Sequence, residues 1–154
     1  MEYGSIEREL YIDATPEVVF AVVSEPAHIK DWWSAETEIE PQAGSTSTIV
    51  WTDEATGRTD REAIIVVEAQ PPRRFVFRWT HPEDEPAAIE NSLLVTFDLT
   101  PTGNGTTLRM TETGFREQGW EIAVLEEQYR SHVSGWDFYL PRLAATASRL
   151  GPAR

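Results

Sequence analysis

The side chains with the most chemical capacity in this 154-residue sequence are three histidines, His28, His81 and His132, and one carboxylate, Glu112, that interrupts an apolar pattern. An imidazole changes charge near neutral pH and can serve as acid, base or metal ligand. The three histidines fall in a short helix, in a loop before Pro82 and in a long C-terminal helix, and no two of them have metal-ligand spacing. The sequence holds no HExxH pair, no Walker loop and no glycine-rich dinucleotide turn; Gly103-Asn104-Gly105 reads as a hairpin instead. It has no cysteine, which removes disulfides, thiolate metal sites and thiol catalysis. We therefore assign no metal, no cofactor and no catalytic residue from motifs.

Glu112 shares strand parity with Leu108 and Met110, which should face the interior. Pointing inward, its carboxyl can bind a ligand hydroxyl or act as an acid. The strand pattern is close to its end, however, and that favours a carboxylate reaching solvent at the rim. Arg8, on the apolar parity of the first strand, is its expected partner where the two edges meet. His132 lies one residue before Val133 and four before Trp136, so it borders the same space. Its position favours a structural or solvent-facing role over ligand contact.

The elements that must position these groups are legible from periodicity. Ser5 to Ile12 alternates, with Ile6, Leu10 and Ile12 on one side. Thr15 followed by Pro16 is a helix start, with Thr15 as N-cap and Pro16 where a missing N–H is harmless. A short helix over Val18 to Val23 follows, and Pro26 opens another that ends at Asp31-Trp32-Trp33. From Glu36 the period is two for about eighty residues, through strands at 47–52, 60–69, 74–80, 91–100 and 106–114. Asp53 to Gly57, Gln70-Pro71-Pro72 and Gly103-Asn104-Gly105 supply the turns. Phe75, Phe77 and Trp79 share one face of a strand, and Leu93, Val95, Phe97 and Leu99 share one face of the next.

Consecutive strands with one apolar face need a cover. Tyr129, Val133, Trp136, Leu140, Leu143, Ala147 and Leu150 recur at spacings of four and three, an apolar stripe along one helix of about 25 to 30 residues. Pro141 inside it removes the hydrogen bond to the Asp137 carbonyl, and we expect a kink there, eased by Gly135. The fold class is α+β: a curved antiparallel sheet of about seven strands wrapped around a long C-terminal helix, with two short helices after the first strand. No repeat or linker divides residues 1–154, so we expect a single domain.

Composition excludes several partners. Twenty-six acidic residues against 13 basic ones give a net charge of −13, and the only adjacent basic pair is Arg73-Arg74 in a turn. Phosphate backbones repel such a surface, so no nucleic acid is expected. No apolar run reaches membrane-spanning length, no signal sequence is visible, and cysteine is absent; the expectation is a cytoplasmic protein without membrane insertion. Six tryptophans exceed what filling a small core requires, which points some of them at an open pocket.

Three stretches resemble one family. Ile12-Asp-Ala-Thr-Pro-Glu-Val-Val-Phe20 with the Trp32-Trp33 pair, Pro71-Pro-Arg-Arg-Phe75-Val-Phe-Arg-Trp79, and Thr111-Glu-Thr-Gly114-Phe115 followed by His132-Val-Ser-Gly135-Trp136 are similar, in order and spacing, to the START-like SRPBCC superfamily. Within it the chain most resembles the C-terminal-type family of heat-shock protein 90 ATPase activator homologues. The resemblance implies a helix-grip fold with a cavity between sheet and helix, used in the superfamily for lipids, sterols, polyketides and hormones, and in the namesake for stimulating a chaperone ATPase.

Three readings follow. The first is a binding protein for a small lipophilic molecule of lipid, polyketide or aromatic type, without catalysis. Its pocket is lined by Trp51, Phe75, Phe77, Trp79, Val95, Phe97, Met110, Trp136 and Leu140, with Glu112 and His132 as polar candidates. Such pockets measure about 300 to 1,000 Å³. The second is a cyclase- or aromatase-type enzyme using Glu112 or His132 as acid or base. The third is an interaction module that contacts a chaperone or forms a homodimer, which requires an exposed apolar patch.

Overall fold

The computed structural model describes residues 2–151. Among these described residues seven strands form one antiparallel sheet. In chain order they are β1 (Ser5–Ile12), β2 (Ala35–Thr37), β3 (Thr46–Thr52), β4 (Thr59–Gln70), β5 (Arg74–Trp79), β6 (Leu93–Thr102) and β7 (Gly105–Thr113). Their order across the sheet is β1-β7-β6-β5-β4-β3-β2. Two helices, α1 (Pro16–Ser24) and α2 (Pro26–Trp33), carry the chain from one edge strand to the other.

Local chemistry sets each boundary. The Thr15 side chain accepts a hydrogen bond from the Val18 N–H at 3.4 Å, capping α1 beside Pro16. α2 begins at Pro26 and is ended by Ser34, whose φ of 56° turns the chain into β2. β6 and β7 are joined through Gly103, at φ 58°, and Asn104. A register shift between Val66 and Glu68 marks a bulge in β4, which bends that strand and increases its twist.

The concave face is continuous. Ile49, Ile64, Val66, Phe75, Phe77, Val95, Phe97, Leu108 and Met110 are all buried there. Over it lies α3 (Ile122–Leu150), 29 residues that stay helical through Pro141. Of the stripe, Trp136, Leu140, Leu143 and Ala147 are buried, while Leu150 is half exposed at the helix end. Helix α3 also packs on α1, α2 and β1.

Arg8 does not pair with Glu112. In the register of β1 against β7, Arg8 lies opposite Met110 and it is Ile6 that lies opposite Glu112. Arg8 instead reaches α3, donating from Nε to Asp137 Oδ1 at 2.7 Å. Its guanidinium holds the Asp137 carboxyl below the usual carboxylate range.

Candidate functional site

The site lies where α2, the sheet and the middle of α3 converge. Trp33 is the last residue of α2, and the left-handed Ser34 that follows fixes where its indole enters the interior. Trp51 projects from β3, Trp79 from the end of β5 and Trp136 from α3. Trp33 is the hub: its ring centroid is 5.5 Å from that of Trp51, 5.2 Å from Trp79 and 5.6 Å from Trp136. It also stacks on Trp32 at 4.9 Å with the planes 6° apart. The four indoles line a cavity of about 160 Å³ that opens to the surface, together with Ser131, His132, Gly135 and Tyr139 of α3. Across the cavity wall no Cβ fills the space above Gly135, where an added methyl would meet nothing within 4 Å.

Glu112 lies behind this wall and is bonded to three of its residues. Its side chain is completely buried. Trp79 Nε1 donates to its Oε2 at 2.7 Å, and Trp136 Nε1 donates to its Oε1 at 2.8 Å. His132 Nδ1 lies 2.9 Å from the same Oε1. An indole N–H can only donate, so both carboxyl oxygens are held as acceptors. Burial of this group is tolerated because its oxygens are satisfied. The rim position favoured by strand pattern is therefore corrected: β7 runs on to Thr113, paired with β1 and β6 on both sides, and this keeps Glu112 beneath the helix.

The indole donors also shape the cavity's chemistry. Trp51 Nε1 donates to the Trp33 carbonyl at 3.0 Å, so the N–H groups of Trp51, Trp79 and Trp136 are all committed to the protein. What they offer the cavity is carbon and π surface. His132 is held edge-on between Trp79 and Phe115, with ring centroids 5.5 and 5.4 Å away. With Nδ1 engaged by Glu112, Nε2 is the ring nitrogen left for the cavity that His132 lines. A histidine so oriented can accept or donate one hydrogen bond at a defined point, or transfer one proton.

A second recess of about 300 Å³ adjoins the cavity, sharing Trp51, Trp79, His132 and Tyr139, and adds Asp60, Glu62 and Thr80. Asp60 and Glu62 have the parity of Ile64 and Val66 in β4, so the inward face of that strand turns from apolar to acidic as it leaves the core. Burial pushes the Glu62 carboxyl above its ordinary value; His132 opposes this, and Asp60 and Glu83 add to it. Thr80, directly after Trp79, holds a φ of 70°, an uncommon conformation for a β-branched residue and one that concentrates at binding sites.

Of the residues expected from sequence to form the pocket, Trp51, Trp79, His132 and Trp136 line the cavity. Phe75, Phe77, Val95, Phe97, Met110 and Leu140 are buried in the packed core, and Glu112 is bonded to three wall residues. Trp33, Tyr139, Asp60 and Glu62 were not anticipated as site residues. Trp33 had a signal, its position as the last residue of a helix facing a strand of matching aromatics. The parity of Asp60 and Glu62 with Ile64 was a second signal. Among the described residues no group of His, Asp or Glu is arranged to hold a metal ion, and no helix is long and apolar enough to cross a membrane.

Comparison with known proteins agrees with this architecture. No curated protein sequence matches. A crystal structure of a protein from Mesorhizobium loti superposes with a TM-score of 0.73 at 23% identity, covering 94% of this chain and 97% of that one. A solution structure of a protein from Arthrobacter aurescens gives 0.75 at 19% identity, covering 96% and 88%. A protein of the dynemicin biosynthetic locus gives 0.69 at 20% identity, covering 98% of this chain and 49% of that one. These likenesses carry the fold. The model of the "Activator of Hsp90 ATPase homolog 1-like protein" family matches residues 13–148, and the chain belongs to that family.

Proposed function

We propose that this protein binds a small hydrophobic molecule, about one ring in size, in the tryptophan-lined cavity between sheet and C-terminal helix. The observation that carries this is the cavity itself: four indoles, the largest kind of side chain in the protein, stand around about 160 Å³ of space, whereas smaller side chains fill the rest of the concave face. A void of about 150 Å³ walled by apolar side chains is enough for a benzene-sized molecule. That is smaller than the pocket anticipated from strand parity, because Phe75, Phe77 and Phe97 occupy the interior that a lipid or sterol would need. His132 Nε2, with the hydroxyls of Ser131 and Tyr139, supplies the few orienting polar contacts such sites use.

Titration with single-ring probes such as phenol, indole and toluene tests this reading. Binding is expected to shift tryptophan emission and raise the melting temperature in step with occupancy. Unchanged emission and melting temperature across the panel would sink it.

A second reading is favoured by one specific contact. Glu112 against His132 Nδ1, with Nε2 toward the cavity, is the orientation that prepares an imidazole for general acid–base work. A cyclase-type activity would then require His132, and His132→Gln would abolish turnover while toluene, which makes no polar contact, still binds. The chaperone-contact and homodimer readings draw less support: the exposed apolar side chains are Tyr11, Val67 and Ile89, and Ile122, Val124, Phe138 and Leu150 spread over the 29 residues of α3.

A further inference from the structure

We infer that the ligand of this cavity is an organic cation, an ammonium group of quaternary or bulky amine type, held by the tryptophan faces and by the carboxylates of the adjoining recess. The inference rests on reading the cavity as a ligand site and adds the ligand's charge.

The walls supply the first part of the argument. A cation is attracted to the face of an aromatic ring, tryptophan best of all, and the attraction grows when water is excluded. Trp33 and Trp51 stand 82° apart, Trp51 and Trp79 56°, and Trp33 and Trp79 44°. These are inclined walls, not a slot between parallel rings, so they suit a compact round group better than a flat one. Three of the four indole N–H groups are turned away into protein acceptors, which leaves the cavity rich in π surface and poor in donors.

The polar inventory supplies the second part. No Lys or Arg lines either the cavity or the recess beside it. The polar side chains present are His132, Ser131, Tyr139, Thr80, Asp60 and Glu62; all can accept a hydrogen bond, the hydroxyls and the imidazole can also donate one, and the two acidic groups have no Lys or Arg beside them in the lining. Arg61 lies between the two acidic residues in β4 but is engaged by Glu83 at 3.0 Å. Glu62 is thus a partly buried carboxylate raised by that burial and by two further acidic groups, Asp60 and Glu83, with His132 acting in the opposite sense. A bound cation would relieve that repulsion, whereas an anionic ligand would add to it.

The test compares choline with 3,3-dimethylbutan-1-ol, which has the same shape with carbon in place of the charged nitrogen, by calorimetry on the full chain. We expect choline to bind at least about tenfold more tightly. Its affinity should fall severalfold in Glu62→Gln and with rising salt, while the neutral probe is unaffected by either. Trp51→Ala should abolish choline binding; if that variant does not fold, Glu62→Gln and the probe pair decide. Equal or tighter binding of the neutral probe overturns the cationic assignment and leaves the cavity as an apolar site. Binding of neither probe, nor of the single-ring panel, overturns both readings together.

Discussion

The underside of α3 is built from two different materials. Toward its C-terminus, where the helix packs on α1 and Gly151 lies against Val18, Leu143 and Ala147 are fully buried in an apolar core with Val19 and Leu99. Around its middle, Trp136 and His132 instead meet Trp79 and the carboxyl of Glu112, beside a cavity. The first region is held by non-directional burial and tolerates any side chains of suitable volume. The second is held by hydrogen bonds that converge on one residue, and it fixes ring orientations. That difference is why the proposed ligand site is placed at the middle of α3.

Substitutions separate the two regions. The largest loss is expected for Glu112→Ala, which strands two indole N–H donors and an imidazole in the interior. Urea unfolding should show about 4 kcal/mol of destabilisation, and a loss below about 1 kcal/mol would mean that the network is incidental. Leu143→Ala should cost about 3 kcal/mol by cavity formation, yet leave probe binding unchanged because it acts at the closed end. Trp51 is only partly buried at the mouth, so Trp51→Ala should cost about 1 to 2 kcal/mol while removing the emission response to probes. An alanine at 143 that weakened probe binding more than one at 51 would erase the distinction between the two regions.

The smallest effect concerns pH. Burial raises the Glu62 carboxyl above its unfolded value, so the folded state prefers the protonated form. The stability this gives is complete below the unfolded carboxylate range and is lost as pH rises through the folded value. Glu62→Gln should therefore be more stable than the natural chain at pH 7, with the gap closing toward pH 3, as thermal melts across that interval would show. A gap that widened on acidification would contradict the placement of Glu62.

Much of the fold was legible because alternation and the α3 stripe each demand a partner surface, and the only surface broad enough for one is the other. Turn chemistry located the hairpins, including the one at Gly103-Asn104. The site was harder to read for a physical reason. Parity tells which face a residue shares but not how deep it lies, so Glu112 was on the right face and was still expected at the rim. Asp60 and Glu62 were hidden within an acidic excess that elsewhere is solvated. Volume was the other blind spot: Phe75, Phe77 and Phe97 look the same in sequence whether they surround a cavity or fill it.

The central claim is that the four clustered indoles form a ligand site, and their N–H resonances test it most directly. In a nitrogen-15 spectrum of the folded chain, adding choline or a single-ring probe should shift the indole signals of Trp33, Trp51, Trp79 and Trp136 together. Trp32, whose N–H is held by the Val22 carbonyl at 2.8 Å, and Trp120, which does not line the cavity, should stay in place. Shifts confined to Trp120, or none at saturating probe, would contradict the account.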